Sequence, residues 1–178
     1  DTLNADTAYR LACEGTGLLW RGDFQNARQL LQAMARRLDR RPRSGGKPLP
    51  EYPEAFHRKR MAEAQRARIL GMVLIPFEAG HVVPLRRAPD VRQACEEAYG
   101  PAVEPYVASL RELLGLVGAH EWRKKGVSIP ALGGRIHPHY GVFSPVRGEY
   151  VALVADTQLP GALAGNSLAF DIGTGTGV

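Results

Sequence analysis

Three glycines at alternate positions, Gly173, Gly175 and Gly177, follow Asp171 and the apolar run Leu168-Ala169-Phe170. Glycine has no side chain and tolerates positive φ, so a glycine-rich turn straight after a strand lets the backbone come close to a ligand. The chemistry this suits is the cradling of a nucleotide-type cofactor by main-chain groups. The other half of such a site is a helix whose N-terminus faces the ligand. The sequence stops at Val178 before any such helix, so the expectation is the front portion of a longer protein. The spacing is G-x-G-x-G. A dinucleotide fold wants G-x-G-x-x-G with an acid about 20 residues on, and Val178 stands where the third glycine would fall.

Other chemistry-bearing residues are fewer. His137 and His139 are two apart, so on a strand they share a face and could offer two nitrogens to a metal. No third ligand stands nearby, and beside Tyr140 they read as packing or hydrogen-bonding residues; no metal is expected. Ser144 precedes Pro145 and lacks the G-x-S-x-G elbow of a nucleophilic serine. Cys13 and Cys95 lie within helical patterns and read as buried free thiols of a reducing cytoplasm, not as a disulfide. No apolar run approaches the ~20 residues that span a bilayer, and no membrane partner is expected.

The chain carries a net charge of +5, unevenly spread. Residues 21–68 hold 13 of the 23 Lys and Arg but only 5 of the 18 Asp and Glu. The excess gathers at Arg36, Arg37, Arg40, Arg41, Arg43 and Lys47, then at Arg58, Lys59, Arg60, Arg66 and Arg68. Such a stripe could neutralise the phosphates of a nucleic acid, with Arg36, Arg37, Arg40, Arg41, Arg58, Lys59 and Arg60 as contacts. It could equally be the solvated face of two helices around a loop. Too few aromatics stand among these charges for a single-strand stacking platform.

These residues must be positioned by the rest of the chain. With 44% hydrophobic and 23% charged residues, it has the composition of a globular protein with a real core. The fold class expected is mainly α. Ala5, Ala8, Tyr9 and Ala12 share a helical face that ends at Glu14-Gly-Thr-Gly17. Asp23 suits the N-cap of a helix carrying Phe24, Ala27, Leu30, Leu31, Met34 and Leu38. Four prolines and two glycines make 42–53 a loop. A basic helix is expected from Glu54 to about Leu74, with Met61, Ala64, Ala67 and Leu70 inward and Pro76 as its stop. His81-Val-Val-Pro84 reads as a short extended piece. Asp90 caps a helix that Gly100-Pro101 ends, and Val103, Tyr106, Leu110, Leu113, Leu114 and Val117 form another helical stripe. Helices this short need one another, so residues 1–125 are expected to pack as a helical bundle. After Lys125-Gly126 the pattern changes. Val127–Leu132 and Arg135–Phe143 flank Gly133-Gly134, a hairpin signal. A short helix over 147–155, a loop over 160–166 and a buried strand over 168–172 complete the 126–178 region.

Asp-x-Gly-x-Gly-x-Gly at 171–177 resembles motif I of the class I S-adenosylmethionine-dependent methyltransferases. The resemblance implies that Asp171, Gly173, Gly175 and Gly177 are cofactor residues. Tyr140–Val154 looks like the lead-in of the release-factor glutamine methyltransferases. Gly141-Val142-Phe143-Ser144 is similar to the corresponding quartet of the small-subunit ribosomal RNA guanine methyltransferases. It implies that Phe143, Ser144 and Arg147 line the site. The likeness is best over 127–178 and only architectural over 1–125. Ser144-Pro145-Val146-Arg147 stands where the glutamine methyltransferases have Arg-Pro-x-x, so a release factor is not the substrate it implies. Asp171–Thr176 also resembles the phosphate loop of actin-like ATPases and sugar kinases, which usually carry it near the N-terminus.

The resemblance thus implies the N-terminal region of an S-adenosylmethionine-dependent methyltransferase, inactive by itself. A helical substrate-recognition domain (1–125) would join, through a β-hairpin and a short helix, the first strand of a truncated doubly wound α/β domain (126–178). The methyl acceptor would be a protein, an RNA or a small molecule, with transfer expected at nitrogen. The sulfonium leaving group makes this a direct displacement in which the enzyme mainly positions the reactants. Two alternatives stay open: a basic helical nucleic-acid-binding module without catalysis, and an actin-like ATPase fragment. The 168–172 strand is expected to recruit a second copy of the chain.

Overall fold

The structure is a computed structural model that describes residues 3–39, 51–145, 148–158, 168 and 170–177. Arg40, Arg41, Arg43, Lys47, Arg147 and the 160–166 loop lie outside the described residues. The fold is mixed α/β, with six α-helices and two small sheets among the described residues. The chain divides into two compact units, 1–115 and 116–178.

In the first unit, α1 (Ala5–Cys13) is opened by Asn4, whose side chain accepts from the Thr7 amide. Helix α2 (Phe24–Asp39) buries Phe24, Ala27, Leu30, Leu31 and Met34 of the predicted stripe, with Leu38 half-buried at its end. Helix α3 (Glu54–Leu70) differs from expectation. It stops at Gly71, and only Ile69 and Leu70 are buried; Met61 is 67% exposed and Ala64 is exposed too. Charged residues surround its outer turns and leave no continuous apolar stripe to bury.

The helical-bundle expectation for 1–125 is corrected by a three-stranded sheet. Strands β1 (Leu18–Leu19), β2 (Val73–Phe77) and β3 (Tyr106–Ser109) lie in the order β1-β2-β3. β1 runs parallel to β2, with Leu18 opposite Val73; β3 runs antiparallel, with Phe77 opposite Tyr106. Val73, Ile75 and Phe77 are buried while Leu74 and Pro76 are partly exposed, the alternation of a half-buried strand. The carbonyls of Met72 and Leu74 accept from the amides of Leu18 and Trp20. By the same parity Pro76 is next on that edge, and it has no N–H to give. The β1–β2 ladder ends there. Pro76 therefore terminates a strand pairing, not the helix it was expected to stop.

A 3₁₀ turn (Ala79–His81) and a loop lead to α4 (Arg92–Tyr99), which Gly100 ends at φ 75°. Asp90 accepts from the Arg92 amide two residues on, but it lies one residue before the N-cap position, which is Val91 and not the expected Asp90. Helix α5 (Leu110–Lys125) begins only after β3, so Tyr106 belongs to the sheet and not to the helical stripe.

In the second unit, β4 (Val127–Ile129) and β5 (Gly134–Ile136) form the expected hairpin, with Val127 opposite Ile136. Its turn is longer than Gly133-Gly134. A 3₁₀ turn (Pro130–Leu132) ends at Gly133 with φ 62°, while Gly134 is already in β5. The second strand stops at Ile136, before Pro138. Helix α6 spans Glu149–Asp156. The buried strand expected over 168–172 does not form at the described positions. Leu168, Phe170 and Ile172 are 77%, 80% and 94% exposed. A strand buried on both faces needs paired neighbours and covering layers, and no described strand pairs with this segment.

Candidate functional site

The glycine loop adopts the backbone its composition permits. Gly173, Gly175 and Gly177 have φ of 81°, 58° and 73°, all left-handed, a region closed to most side-chain-bearing residues. The Gly177 amide donates to the Thr174 carbonyl at 2.9 Å and closes a turn. A Cβ at Gly175 would lie 3.0 Å from the Phe143 carbonyl oxygen and 3.5 Å from the Phe143 Cβ. At Gly173 and Gly177 a Cβ would meet open space. The loop thus rests on Phe143 at its centre and leaves the backbone clear on either side.

Of the residues predicted to share a site, Phe143 and Gly175 are brought together. Ser144 follows directly; its Oγ is buried and has no hydrogen-bond partner among the described residues, which leaves a donor and an acceptor unspent. Asp171 is exposed. Of the two histidines of the hairpin exit, His137 makes a hydrogen bond. His137 Nδ1–H donates to the Arg123 carbonyl at 2.6 Å, and its ring lies where a Cβ at Gly126 would come within 2.9 Å. Among the described residues no three of His, Cys, Asp and Glu gather as a metal-binding group.

Four of the stripe's cations meet acids among the described residues. Arg37 bonds to Asp6 and stacks over the Tyr9 ring. Arg58 meets Glu54 at 2.6 Å, Lys59 meets Glu63 at 3.8 Å, and Arg66 meets Asp39 at 2.6 Å. Arg60 lies over Phe56. Pairing of this kind lowers the local positive field that phosphate binding requires.

Two further constellations lie in the first unit, and neither was legible as a site. In the first, Asp23 is buried at 3% exposure and takes five donors. Its Oδ1 accepts from the Gln25 and Asn26 amides, capping α2, and from Arg87 Nη2 at 2.7 Å; its Oδ2 accepts from Arg87 Nε at 2.6 Å and Arg86 Nε at 3.2 Å. The Arg87 guanidinium above all holds this carboxyl well below the ordinary range. Arg87 is itself at φ 59°, a conformation uncommon for any side chain larger than glycine.

In the second, His81 has φ 61° and is 3% exposed. Its Nε2 lies 2.8 Å from the Gly100 carbonyl, which can only accept, so Nε2 carries the proton; in the neutral ring Nδ1 then accepts from the Tyr106 hydroxyl at 2.8 Å. Tyr106 stacks on Phe77 with ring centroids 4.5 Å apart. Burial, then the neighbouring Cys95 and the Glu112 charge, push the Tyr106 hydroxyl up to about 12. Burial also raises the Cys95 thiol. Tyr99 donates to Glu112 at 2.6 Å. His81, Tyr99, Tyr106 and Glu112 line a cavity of about 360 Å³. The signal missed in sequence was Gly80-His81, separated by two residues from the apolar run that ends at Phe77: a glycine at φ 72° turns the chain so that the histidine points inward.

Compared with protein-family models, curated proteins and solved structures, the chain matches none of them.

Proposed function

We propose that the chain is the N-terminal region of an S-adenosylmethionine-dependent methyltransferase. The first unit would recognise substrate, and the glycine loop would receive the methionine end of the cofactor. The observation that carries this reading is the loop itself: three alternate left-handed glycines, the central one seated on the Phe143 carbonyl. A phosphate loop of the actin-like kind shares the glycines but gives no role to Phe143 and Ser144. The pairing of Arg37, Arg58, Lys59 and Arg66 with acids weighs against a purely nucleic-acid-binding module.

The test is an NMR titration of the 178-residue chain with S-adenosylmethionine, with ATP in parallel. Among the described residues no helix begins at the loop, so binding is expected to be weak, with Kd above about 1 mM, or roughly −4 kcal/mol. Shifts should centre on 143–144 and 171–177. Gly175→Val should abolish them, because a branched side chain at φ 58° would collide with the Phe143 carbonyl. Shifts of the same residues by ATP alone would overturn the reading.

A further inference from the structure

We infer that the cavity between α4, β3 and the start of α5 binds an alkylammonium or guanidinium group carried on a short apolar stem. The cavity holds about 360 Å³, within the range of small-ligand sites. Its walls are Pro101, Ala102 and Ala108 with the rings of Tyr99 and Tyr106. Its one carboxylate is Glu112. The Tyr99 hydroxyl donates to one oxygen of that carboxylate at 2.6 Å. Among the described residues no Lys, Arg or His forms an ion pair with Glu112. Glu112 is exposed and lies in the first turn of α5; what sets it apart is its place at the rim of this cavity beside two tyrosine rings.

The geometry orients the group for a ligand. Tyr99 fixes one carboxylate oxygen and leaves the other with open lone pairs. A cation there gains a charge-assisted hydrogen bond and the faces of aromatic rings. The stem of the ligand would lie against the alanines and Pro101. The back wall is rigid: His81 is tied to both the Gly100 carbonyl and the Tyr106 hydroxyl, and Tyr106 is stacked on Phe77. A wall held in place before binding loses little conformational freedom when a ligand arrives. An anion would face the Glu112 carboxylate, and a neutral stem would gain nothing from it. This inference does not rest on methyl transfer; it uses only the first unit.

The experiment is an NMR titration of the 178-residue chain with n-butylammonium chloride at fixed ionic strength, with 1-butanol and sodium chloride as comparators. Saturable shifts are expected at residues 81, 99–102, 106 and 112, with a Kd of about 1 mM. 1-Butanol should bind at least about tenfold more weakly. Glu112→Gln keeps the shape and removes the charge, and should weaken the amine about tenfold with the unfolding transition unchanged. Tyr99→Phe keeps the ring and frees the carboxylate, and should weaken it less. A peptide with blocked ends and one central lysine separates the sources. If it binds tighter than the amine, the ligand is a protein side chain; if only the free amine binds, the ligand is a small molecule. No saturable shifts at these residues, or equal binding of amine and butanol, or equal binding by Glu112→Gln, would overturn the inference.

Discussion

Replacing Tyr106 by Phe isolates one hydrogen bond. The ring stays, with its stack on Phe77 at 4.5 Å and a 5° interplanar angle. What goes is the hydroxyl that donates to His81 Nδ1. His81 is buried at 3% exposure, so a substitute donor can reach it only from the cavity it lines. Leaving a buried acceptor unpaired costs about 1–3 kcal/mol. Taking about 2 kcal/mol, and roughly 4 °C of Tm per kcal/mol for a domain near 100 residues, the transition of the first unit should fall by about 8 °C. The assay is thermal and urea unfolding followed by fluorescence in a Trp122→Phe background. Trp20 is then the only tryptophan, and it sits in the first unit at 8% exposure. Val103→Ala, at a position 85% exposed, should move stability by less than about 0.5 kcal/mol. If Tyr106→Phe is as stable as Val103→Ala, the His81–Tyr106 bond does not hold the loop and the reasoning fails.

The Asp23 cluster predicts an acid dependence. Its folded carboxyl is depressed, by Arg87 first, so its stabilisation is full above the unfolded value of about 3.9 and is lost as pH falls below it. The stability gap between the native chain and Asp23→Asn should be constant above about pH 5 and shrink below about pH 4; urea titrations at pH 7 and pH 3 that give the same gap would refute this. The exposed Leu168, Phe170 and Ile172 predict self-association. Light scattering should report a dimer that becomes monomeric when residues 168–178 are deleted, and a monomer at high concentration with the segment intact would count against it.

The start of α2 at Asp23 and the end of α4 at Gly100 were legible because their signals are local, each acting within one turn; the end of α3 at Gly71 was not. Nor was strand β2. Leu70-Gly-Met-Val-Leu-Ile75 is an apolar run whose spacing fits a helix or a buried strand alike, and Gly71 was the only mark of the switch. Tyr106 fell into the helical stripe for a similar reason: its spacing to Leu110 and Leu113 is helical, while its pairing with Phe77 is set by a strand far back in the chain. Tertiary pairing overrode local periodicity. The glycine loop was legible because left-handed φ is nearly a property of glycine itself. The Phe143–Gly175 contact came from likeness and not from pattern. The cavity was invisible, since residues 81, 99, 106 and 112 share no spacing; the fold alone makes them neighbours.

Asp23 also sets an order of events for a chain made from its N-terminus. Residues 5–39 supply α1, α2 and the helix cap, and they leave the ribosome well before Arg87 and before Tyr106. Until then Asp23 has two backbone amides and no guanidinium, and β2 has no antiparallel partner. The first unit therefore cannot close as helices arrive. It closes late, when residues up to about Leu113 have emerged and both arginines and β3 can return to elements made long before. Contacts of such long sequence separation slow folding, and over that interval the apolar stripe of α2 stays open to whatever meets it first. A pause in synthesis before Leu113 has emerged would lengthen that exposure, whereas one after its emergence would not.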